Sequence, residues 1–568
     1  MGNRRWWKVG WFVQKCVIMM FMKKIATKTY NFPILRNNHN IYVDKTRYLH
    51  RLVSADSASA AYFISRPRRF GKSLMISTLE CIFGGQKELF DGLYIKEETD
   101  YDWPVVPVLK FSLSQVNCGS VEEVNDSLRR MICEAVPEEI LDETAIANQK
   151  PRDVFRYAIK KMAEETGSVA VLIDEYDYPI NHTLDNPELC EAIRVQLSEF
   201  YQTLKDSEGL LRFLMITGIS KFSKLSLFSG LNNITDLTMK KWTSTMFGYT
   251  EEELTTYFSE HMRARAEEME LSDGAFHAEL KRWYNGYRFY DNAPSVYNPF
   301  AIARVLTDDT DMFGSTWTQD CRPTLLVNYL EHLLSLNIDL NGTIEATAEE
   351  LSRVTTLQTL NPIGVLYQTG YLTIDHFDPE MDCYVLRVPD EEISKDLNGI
   401  LRDLYDGNRG TNFFDLRRAF IHDDMNTLMA LLKPMYSNLI YGTKEASIHE
   451  DNYRRVLHTF FLTNGFVCAA EKRQSSGNRS DLVVAYGDFV YIFEFKNRET
   501  TDADVALAQI EDRKYMAPYL TPGRKIRQIG LAFDPKTHEL IDWAWRTAGA
   551  DAGRSGKMPD SEKTVPEA

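Results

Sequence analysis

The sequence predicts a multidomain α/β protein with a parallel sheet covered by helices on both faces, a largely helical middle region and a smaller C-terminal α/β domain. Strand and helix patterns alternate from about residue 60 to 220, as they do in doubly wound sheets. Val169–Asp174 is predicted as a strand, and its apolar, β-branched side chains favour burial on both faces of a parallel sheet. Helical periodicity dominates residues 246–440, and strand patterns return after residue 465.

The elements of the first domain follow one another in a regular order. Ala60–Ser65 is predicted as a short apolar strand, and a basic, glycine-containing turn separates it from a helix at Lys72–Phe83. Val105–Leu113 is predicted as the next strand and Ser120–Glu134 as an amphipathic helix. Arg212–Gly218 is a further apolar strand. Because strands alternate with helices, we expect parallel strands joined by right-handed crossovers.

The later elements indicate two further regions. In the middle region we expect a helical lid, a polar turn at Asn285-Gly286 and a helix-plus-strand module at residues 357–374. The C-terminal region is predicted to contain helices at His449–Phe461 and Ala503–Tyr515 and strands at Phe466–Glu471, Asp481–Tyr486, Phe489–Lys496 and Gln528–Ala532. The predicted divisions are an extension at 1–22, the sheet domain at 23–245, the middle region at 246–440, the second α/β domain at 441–547 and a disordered tail at 548–568.

Composition and charge exclude several classes of protein. A chain of 568 residues needs more than one hydrophobic core, and 44% hydrophobic with 26% charged residues is typical of globular proteins. The net charge of −16 argues against a surface that is basic throughout, while leaving room for a local basic groove. The eight cysteines form no CxxC pair, so we expect reduced thiols in a cytoplasmic protein.

The N-terminal apolar run at Val9–Met22 is too short to cross a membrane. It contains 14 residues, whereas a spanning helix needs about 20. The run is followed directly by Lys23 and Lys24, and not by a small-residue cleavage site of the kind that ends a signal peptide. We therefore expect no membrane segment, and we hypothesise that translation starts at Met22.

A phosphate-binding loop is predicted at residues 66–73, which read RPRRFGKS. The loop lies between a buried strand and a helix, where backbone N–H groups and the helix N-terminus face a bound phosphate. Lys72 is expected to reach the β- and γ-phosphates, and the Ser73 hydroxyl to bind Mg²⁺. The general pattern G-x-x-x-x-G-K-[ST] is incomplete, because Arg66 replaces its first glycine. Further nucleotide contacts are expected from Arg69, Phe70, Gly71 and Leu74.

A second element of a nucleotide site follows about 100 residues later, where the apolar strand ends in Asp174-Glu175. Asp174 is suited to hold Mg²⁺ through water, and Glu175 to orient an attacking water as a base. The alternative is a strand that ends in a solvated acidic turn.

Three segments carry a resemblance to a known family: SRPRRFGKSL at 65–74, LIDEYDYPI at 172–180 and TGISKFSKLSLFSGLNN at 217–233. They resemble the AAA-ATPase-like family of bacterial and archaeal proteins, in which arginine usually replaces the first glycine of the loop. The resemblance implies a P-loop NTPase that uses ATP and Mg²⁺, with Thr217 as a polar sensor of the γ-phosphate. The alternative for Thr217 is a residue that caps a strand end. WYNGYRF at 283–289 also matches the family, and we expect its aromatic side chains to pack in a core. The alternative is that Tyr284, Tyr287 and Phe289, with Arg288, stack on nucleic-acid bases.

A second candidate active site lies on a predicted hairpin in the C-terminal region. Glu494 and Lys496 project from the same face of one strand, because side chains alternate along a strand. A turn at Gly487-Asp488 is expected to place Asp481 on the adjacent strand beside them. Two carboxylates can hold Mg²⁺ there, while the lysine stabilises charge or activates water at a phosphodiester. Charged pairs of this kind also occur at ordinary strand ends.

The surroundings of these residues resemble the PD-(D/E)XK nuclease superfamily. The resemblance implies a restriction-endonuclease-like α/β domain in which Asp481 and Glu494 bind the metal and Lys496 is the catalytic lysine. It also implies that Gln509 is an auxiliary active-site residue on the following helix and that Glu450 is a third acidic ligand. Asn478 departs from the family pattern, because it separates the glycine and arginine that relatives place together before the aspartate.

Together these features predict a cytoplasmic ATPase coupled to a Mg²⁺-dependent nuclease domain, with nucleic acid, DNA in preference to RNA, as its partner. A homo-oligomer is compatible with this prediction. One alternative is an ATP-dependent regulatory switch whose C-terminal domain binds nucleic acid or a protein without cutting. Another is nucleotide-dependent chaperone-like assembly. The presence of the complete Asp–Glu–Lys set favours the nuclease.

Overall fold

In the computed structural model the chain divides into two compact units, residues 1–394 and 395–568. The structure describes residues 23–54, 61–141, 146, 148–221, 233–308, 313–315, 344–352, 362–406, 413–440, 453–454, 457–458, 461, 466–470, 481–497, 502–534, 539–549 and 552–559. The predicted extension at 1–22, Glu450 and Asn478 lie outside these ranges. None of the described helices combines the length and the apolar character needed to cross a bilayer.

The first unit contains the predicted parallel sheet with helices on both faces. Its five strands, all parallel to their neighbours, lie in the order β2-β3-β4-β1-β5. They are β1 (Ala61–Ser65), β2 (Val108–Ser112), β3 (Val169–Asp174), β4 (Leu211–Gly218) and β5 (Thr235–Asp236). The accompanying helices are α1 (Phe32–Asn37), α2 (Thr46–Val53), α3 (Lys72–Phe83), α4 (Tyr94–Glu97), α5 (Val121–Glu134), α6 (Pro151–Thr166), α7 (Tyr178–Asn181) and α8 (Pro187–Asp206).

The core of this sheet follows from the sequence pattern. Every residue of β3 is buried, as expected for an apolar strand in the middle of a parallel sheet. The apolar faces of α5, α6 and α8 form one continuous core with one side of the sheet. On α3, nine of 12 residues are buried, and this helix packs against β2, β3 and β4. Because both faces of the sheet are buried, the strand ends that border the loop at residues 66–73 are held in fixed positions.

The described residues of the first unit that follow β5 contain more strand than the sequence predicted. Their elements are α9 (Glu251–Glu268), α10 (Asp273–Tyr284), β6 (Asn285–Tyr287), β7 (Val296–Tyr297), α11 (Pro299–Thr307), β8 (Ile344–Ala346), α12 (Ala348–Ser352), α13 (Pro362–Thr369), β9 (Thr373–Asp378) and β10 (Cys383–Arg387). Helix α14 (Glu391–Asp406) contains the boundary between the units. Strands β8, β10 and β9 form an antiparallel sheet. Short, partly exposed strands have little apolar alternation, which explains why the pattern missed β8 and β10.

Asn285-Gly286 is part of strand β6 and not the predicted turn. A Cβ atom at Gly286 would lie 1.7 Å from the carbonyl oxygen of Pro389. Arg387 Nη2 donates a hydrogen bond to the Gly286 carbonyl at 2.9 Å. The glycine is therefore required by the close approach of another backbone segment, which is a tertiary contact that a local turn signal does not reveal.

We expect Gly286→Ala to lower the free energy of unfolding of the first unit by about 2–4 kcal/mol, because the added carbon overlaps a buried backbone carbonyl. Gly274→Ala is the matched control: no atom lies within 4 Å of the added carbon, and the residue belongs to helix α10, where alanine is favoured. Urea unfolding followed by circular dichroism measures both. Equal midpoints for the two variants would contradict the close contact at Gly286.

The second unit is built around a six-stranded mixed sheet in the order β11-β12-β13-β14-β15-β16. Strands β13 and β14 are parallel and the other neighbours are antiparallel. The elements are α15 (Phe413–Ile421), α16 (Met425–Ile440), β11 (Val467–Ala470), β12 (Leu482–Tyr486), β13 (Phe489–Lys496), α17 (Ala503–Asp512), β14 (Lys525–Phe533), β15 (Leu540–Gly549) and β16 (Ser555–Lys557). The predicted second α/β domain is thus present as a mixed sheet with helices.

Two predicted boundaries differ from the structure. Helices α15 and α16, predicted as part of the middle region, share one core with β12, β13 and β14. The predicted disordered tail from residue 548 contains the end of β15 and strand β16, which pairs with β15. Asp423 links these parts, because it forms ion pairs with Arg527 of β14 and with Arg554 next to β16. Helical periodicity and tail composition do not show which distant strand a segment contacts.

Candidate active sites

The predicted phosphate loop lies at the carboxyl end of the parallel sheet. It connects the end of β1 at Ser65 with the first residue of α3, Lys72. Gly71 precedes the helix with φ +96°, in the left-handed region that favours glycine. Ser65 pairs with Gly218 of β4, so the ends of β1 and β4 meet at the same edge. Backbone N–H groups at the start of a 12-residue helix therefore border the loop.

Lys72 is buried beneath the loop. Its Nζ donates hydrogen bonds to the carbonyl oxygens of Arg66 and Pro67, each at 2.9 Å. Burial lowers the pKa of Lys72, while the charges of Asp174 and Glu175 oppose that shift. A buried ammonium close to two carboxylates is stabilised by any further negative charge that enters the loop.

Asp174 is fixed by its neighbours on β3 and β4. The Thr217 hydroxyl donates a hydrogen bond to Asp174 Oδ1, and the Glu175 N–H donates to the same oxygen at 3.0 Å. Asp174 is only 5% exposed, which is inconsistent with a solvated acidic turn. Glu175 has φ +52°, and burial, followed by the charge of Asp174, raises its pKa. Thr217 therefore orients a carboxylate, while its action as a γ-phosphate sensor stays a prediction.

A cleft of about 410 Å³ opens beside these groups. Of the predicted residues, Arg69, Gly71, Lys72, Ser73 and Glu175 line it. The cleft has seven further lining residues that were not predicted as nucleotide contacts: Tyr30, Arg68, Asp177, Tyr178, Asn181, His182 and Ile219.

Asp177 is the most informative of the missed residues. Its Oδ2 accepts hydrogen bonds from the backbone N–H groups of Ser220, at 2.8 Å, and Ile219, at 3.1 Å. It therefore holds the chain that leaves β4 against the cleft. The sequence did contain a signal for this residue, because Asp177 is the third carboxylate in the segment LIDEYDYPI. A buried carboxylate needs hydrogen-bond donors, and these had to come from another part of the chain.

Arg66, which replaces the first glycine of the loop pattern, faces the interior and does not line the cleft. Its side chain is 1% exposed, and its guanidinium donates hydrogen bonds to the carbonyl oxygens of Thr238, at 2.7 Å, and Thr243, at 3.2 Å. The guanidinium carbon lies 4.2 Å from the centre of the Phe289 ring. Burial lowers the pKa of Arg66 to about 10. The arginine therefore anchors the start of the loop to the segment after β5.

Phe70 anchors the other end of the loop. Its ring lies 4.8 Å from Tyr287 and 5.4 Å from Phe289, centre to centre, in edge-on geometry. Both partners belong to the WYNGYRF segment, whose predicted core packing is thereby confirmed. Phe70 and Leu74 line an apolar cavity beside the loop and do not line the cleft.

The second candidate site lies where β12 and β13 pair. Their antiparallel register, Leu482 with Phe493, brings Asp481 opposite Glu494. Asp481 Oδ2 accepts a hydrogen bond from the Phe495 N–H at 3.0 Å. Lys496 Nζ lies 3.0 Å from Glu494 Oε1. The structure therefore brings together the Asp–Glu–Lys set that the sequence predicted.

Helix α17 contributes further groups to the same site. Gln509 Nε2 donates a hydrogen bond to Glu494 Oε1. The hydroxyl of the buried Tyr515 accepts from Arg513 at 3.3 Å and lies 3.5 Å from Gln509 Nε2. Sequence reasoning did not select Arg513, although a residue four positions after Gln509 on a helix faces the same side. Glu450 lies outside the described residues, so its predicted role as a ligand stays a prediction.

The residues at this site fit a divalent cation. Glu494 is 1% exposed, and among the described residues its Oε2 has no hydrogen-bond partner. Burial, followed by the charge of Asp481, raises the pKa of Glu494 to about 8. Two facing carboxylates with an unsatisfied oxygen are a donor set that Mg²⁺ or Mn²⁺ satisfies. The described part of the chain contains no cluster of three or more potential ligands, so two carboxylates make up the described set.

The raised pKa of Glu494 predicts that cation binding releases a proton. Below about pH 8 the protonated carboxyl competes with the cation, so affinity should fall as pH decreases, by at most about tenfold per pH unit. Calorimetric titration of the full chain with Mn²⁺, in two buffers of different ionisation enthalpy, measures both affinity and proton release. Glu494→Gln is the control for other Mn²⁺ sites. Identical proton release by wild type and Glu494→Gln would contradict the prediction.

Comparison with known proteins agrees with this geometry. The family model of a predicted AAA-ATPase matches residues 26–228, and that of the PD-(D/E)XK nuclease superfamily matches residues 448–543. A protein of Azotobacter chroococcum mcd 1, named "Uncharacterized protein in vnfD 5'region", is 30% identical over 541 residues. That alignment covers 93% of this chain and 100% of the relative. No solved structure matches.

The fold and the two sites define an AAA-ATPase-like protein that carries a nuclease-superfamily domain near its C-terminus. The chain belongs to this family, and its similarity to the Azotobacter protein extends over nearly its whole length.

Proposed function

We propose that the protein binds and hydrolyses ATP in its first unit and cleaves phosphodiester bonds of nucleic acid in its second. The observation that carries the proposal is the buried Glu494, with Asp481, Lys496 and Gln509 around it and one oxygen without a partner among the described residues. A purely structural ion pair would satisfy both carboxylate oxygens. DNA is the substrate that the resemblance to the nuclease superfamily implies.

At the nucleotide site, we assign each residue a role that follows from its charge. Lys72 would exchange its two carbonyl partners for phosphate oxygens, while Ser73 and Asp174 would hold Mg²⁺. Glu175, with its raised pKa, accepts a proton from water more readily than an exposed carboxylate does. The buried Arg66 connects the start of the loop to Thr238 and Thr243, so this segment is the one to which a change in the loop would be transmitted.

At the carboxylate site, Asp481 and Glu494 would hold a divalent cation, which when bound would stabilise charge at the scissile phosphate and lower the pKa of water. Lys496 neutralises the charge that develops on the phosphate oxygens, and its hydrogen bond to Glu494 fixes its ammonium. Gln509 orients the Glu494 carboxylate from the helix side.

The proposal is tested by incubating the purified full chain with labelled single- and double-stranded DNA and RNA and Mg²⁺ or Mn²⁺, with and without ATP. We expect cation-dependent cleavage of DNA at a rate that ATP changes. ATP hydrolysis without cleavage of any substrate would reject the nuclease and support the regulatory switch. Cleavage at a rate that ATP does not change would reject the coupling and leave the nuclease in place.

A further inference from the structure

The phosphate loop contains three arginines, and two of them are already engaged. Arg66 is buried and donates hydrogen bonds to backbone carbonyl groups of the segment after β5. Arg69 lies where the cleft meets the apolar cavity, since it lines both of them. Its guanidinium donates to the Tyr30 hydroxyl, and the guanidinium carbon lies 4.5 Å from the centre of the Phe300 ring. Either arginine would have to give up these contacts to bind a phosphate.

Arg68, the third loop arginine, is in a different situation. It is partly exposed and lines the cleft, but it does not line the apolar cavity. Within the described part of the chain it forms no hydrogen bond, ion pair or ring contact. A guanidinium in this state binds a phosphate without first breaking a bond of the folded chain.

The charge of Arg68 acts on the groups around the cleft. Tyr178 and His182, on α7 and directly after it, line the cleft and stack with their ring centres 3.9 Å apart. Burial and, after it, the charge of Arg68 lower the pKa of His182. The same charge also disfavours the protonated form of Lys72, against the effect of nearby carboxylates. The Arg68 guanidinium is therefore within electrostatic range of the lysine that is expected at the phosphates.

The proposed hydrolysis increases the negative charge that these cations face. The water oxygen forms a bond to the γ-phosphorus, and the bond from that phosphorus to the bridging oxygen breaks. Its electron pair leaves with ADP, and Glu175 takes a proton from the water. A planar guanidinium can donate to two phosphate oxygens at once, which an ammonium such as that of Lys72 cannot do with the same geometry.

We infer that Arg68 donates, from within the same chain, the second positive charge that stabilises the γ-phosphate in the transition state. The inference rests on the proposed ATPase function and adds a catalytic residue to it. A cation of this kind can come from the same chain or from a partner. Because Arg68 belongs to the loop that holds the phosphates, one chain is sufficient for hydrolysis, and a homo-oligomer is not required.

The first test is calorimetric titration of the full chain with a non-hydrolysable ATP analogue and with MgADP plus aluminium fluoride, which mimics the phosphoryl group in transfer. We expect Arg68→Ala to bind the aluminium fluoride complex about 100-fold more weakly, with affinity for the ATP analogue within about fivefold of wild type. Turnover at saturating ATP should fall by a similar factor. Arg68→Lys should be intermediate, because it keeps the charge without the planar fork.

Arg212→Ala is the matched control for the loss of an arginine. Arg212 is exposed at the start of β4, at the opposite end of the sheet from the loop, and it does not line the cleft. This variant should bind both ligands and hydrolyse ATP as wild type does. Wild-type turnover by Arg68→Ala, or wild-type affinity of that variant for the aluminium fluoride complex, would overturn the inference.

The second test distinguishes a charge from the same chain from one that a neighbouring chain provides. A mixture of Arg68→Ala and Lys72→Ala should not hydrolyse ATP faster than the separate variants, because each lacks one of two charges that the same site needs. Restored hydrolysis in the mixture would show that Arg68 acts on a neighbour's nucleotide and would overturn the inference. Absence of ATP hydrolysis by wild type would instead reject the proposed ATPase.

Discussion

Glu494→Gln is expected to reduce metal-dependent cleavage of nucleic acid by about a thousandfold or more, which corresponds to roughly 4 kcal/mol of transition-state stabilisation. The substitution keeps the shape of the side chain and removes its negative charge. The cation then retains only Asp481 among the described carboxylates, and the Lys496 ammonium loses its anionic partner. The measurement is the initial rate of cleavage at saturating Mg²⁺.

The matched control is Glu511→Gln on the same helix as Gln509. Glu511 lies 3.0 Å from Arg546, is half exposed and does not contact Glu494. It should retain cleavage within about twofold of wild type, because an exposed ion pair contributes little to stability. ATP hydrolysis by Glu494→Gln should stay at the wild-type level. Equal cleavage by wild type and Glu494→Gln would show that the activity resides elsewhere or in a contaminant.

Lys72→Ala is expected to reduce ATP hydrolysis by about a hundredfold or more. The change removes the buried ammonium that lies within the fields of Asp174 and Glu175, and with it the charge available to the β- and γ-phosphates. Steady-state phosphate release at several ATP concentrations separates weaker binding from slower chemistry. We expect both to change, because the proposed role of Lys72 is to contact the phosphates in the ground state and in the transition state.

Lys110→Ala controls for the loss of a lysine from the same unit. Lys110 lies on β2, in a half-exposed ion pair with Glu80 at 2.6 Å, and it does not line the cleft. It should hydrolyse ATP as wild type does. Wild-type hydrolysis by Lys72→Ala would refute the assignment of residues 66–73 as the phosphate loop. Cleavage of DNA by Lys72→Ala, assayed with ATP, then measures how strongly the two activities depend on each other.

Much of each site was predictable because local patterns encode it. The apolar strand before Asp174 and the alternation of Glu494 and Lys496 along β13 follow from the periodicity of a strand. The boundaries of α3 and β3 were predicted to the residue, because glycine, charge and apolar runs mark them clearly. The position of Asp481 beside Glu494 followed from a two-residue turn, which sets the register of a hairpin.

Other features depend on contacts between distant segments and therefore could not be predicted from the sequence. In the sequence, Arg66 was an exception to the phosphate-loop pattern. Its hydrogen bonds to the carbonyl oxygens of Thr238 and Thr243 show that it anchors the loop. Gly286 carried only a turn signal, although a close approach by Pro389 requires it. In the sequence, Asp177 was one of several carboxylates in an acidic segment. The structure shows that it accepts hydrogen bonds from the backbone N–H groups that follow β4.

The sequence by itself indicated the class of the protein, through its resemblance to two known families. It also indicated the two sets of candidate site residues and the strands that hold them, through short-range periodicity and motif spacing. Only the tertiary structure decided that α15, α16 and the C-terminal strand belong to the second unit, and that an apolar cavity continues from the phosphate cleft. The physical reason is that burial and hydrogen bonding between segments far apart in the chain depend on how whole elements pack, and no local pattern records that packing.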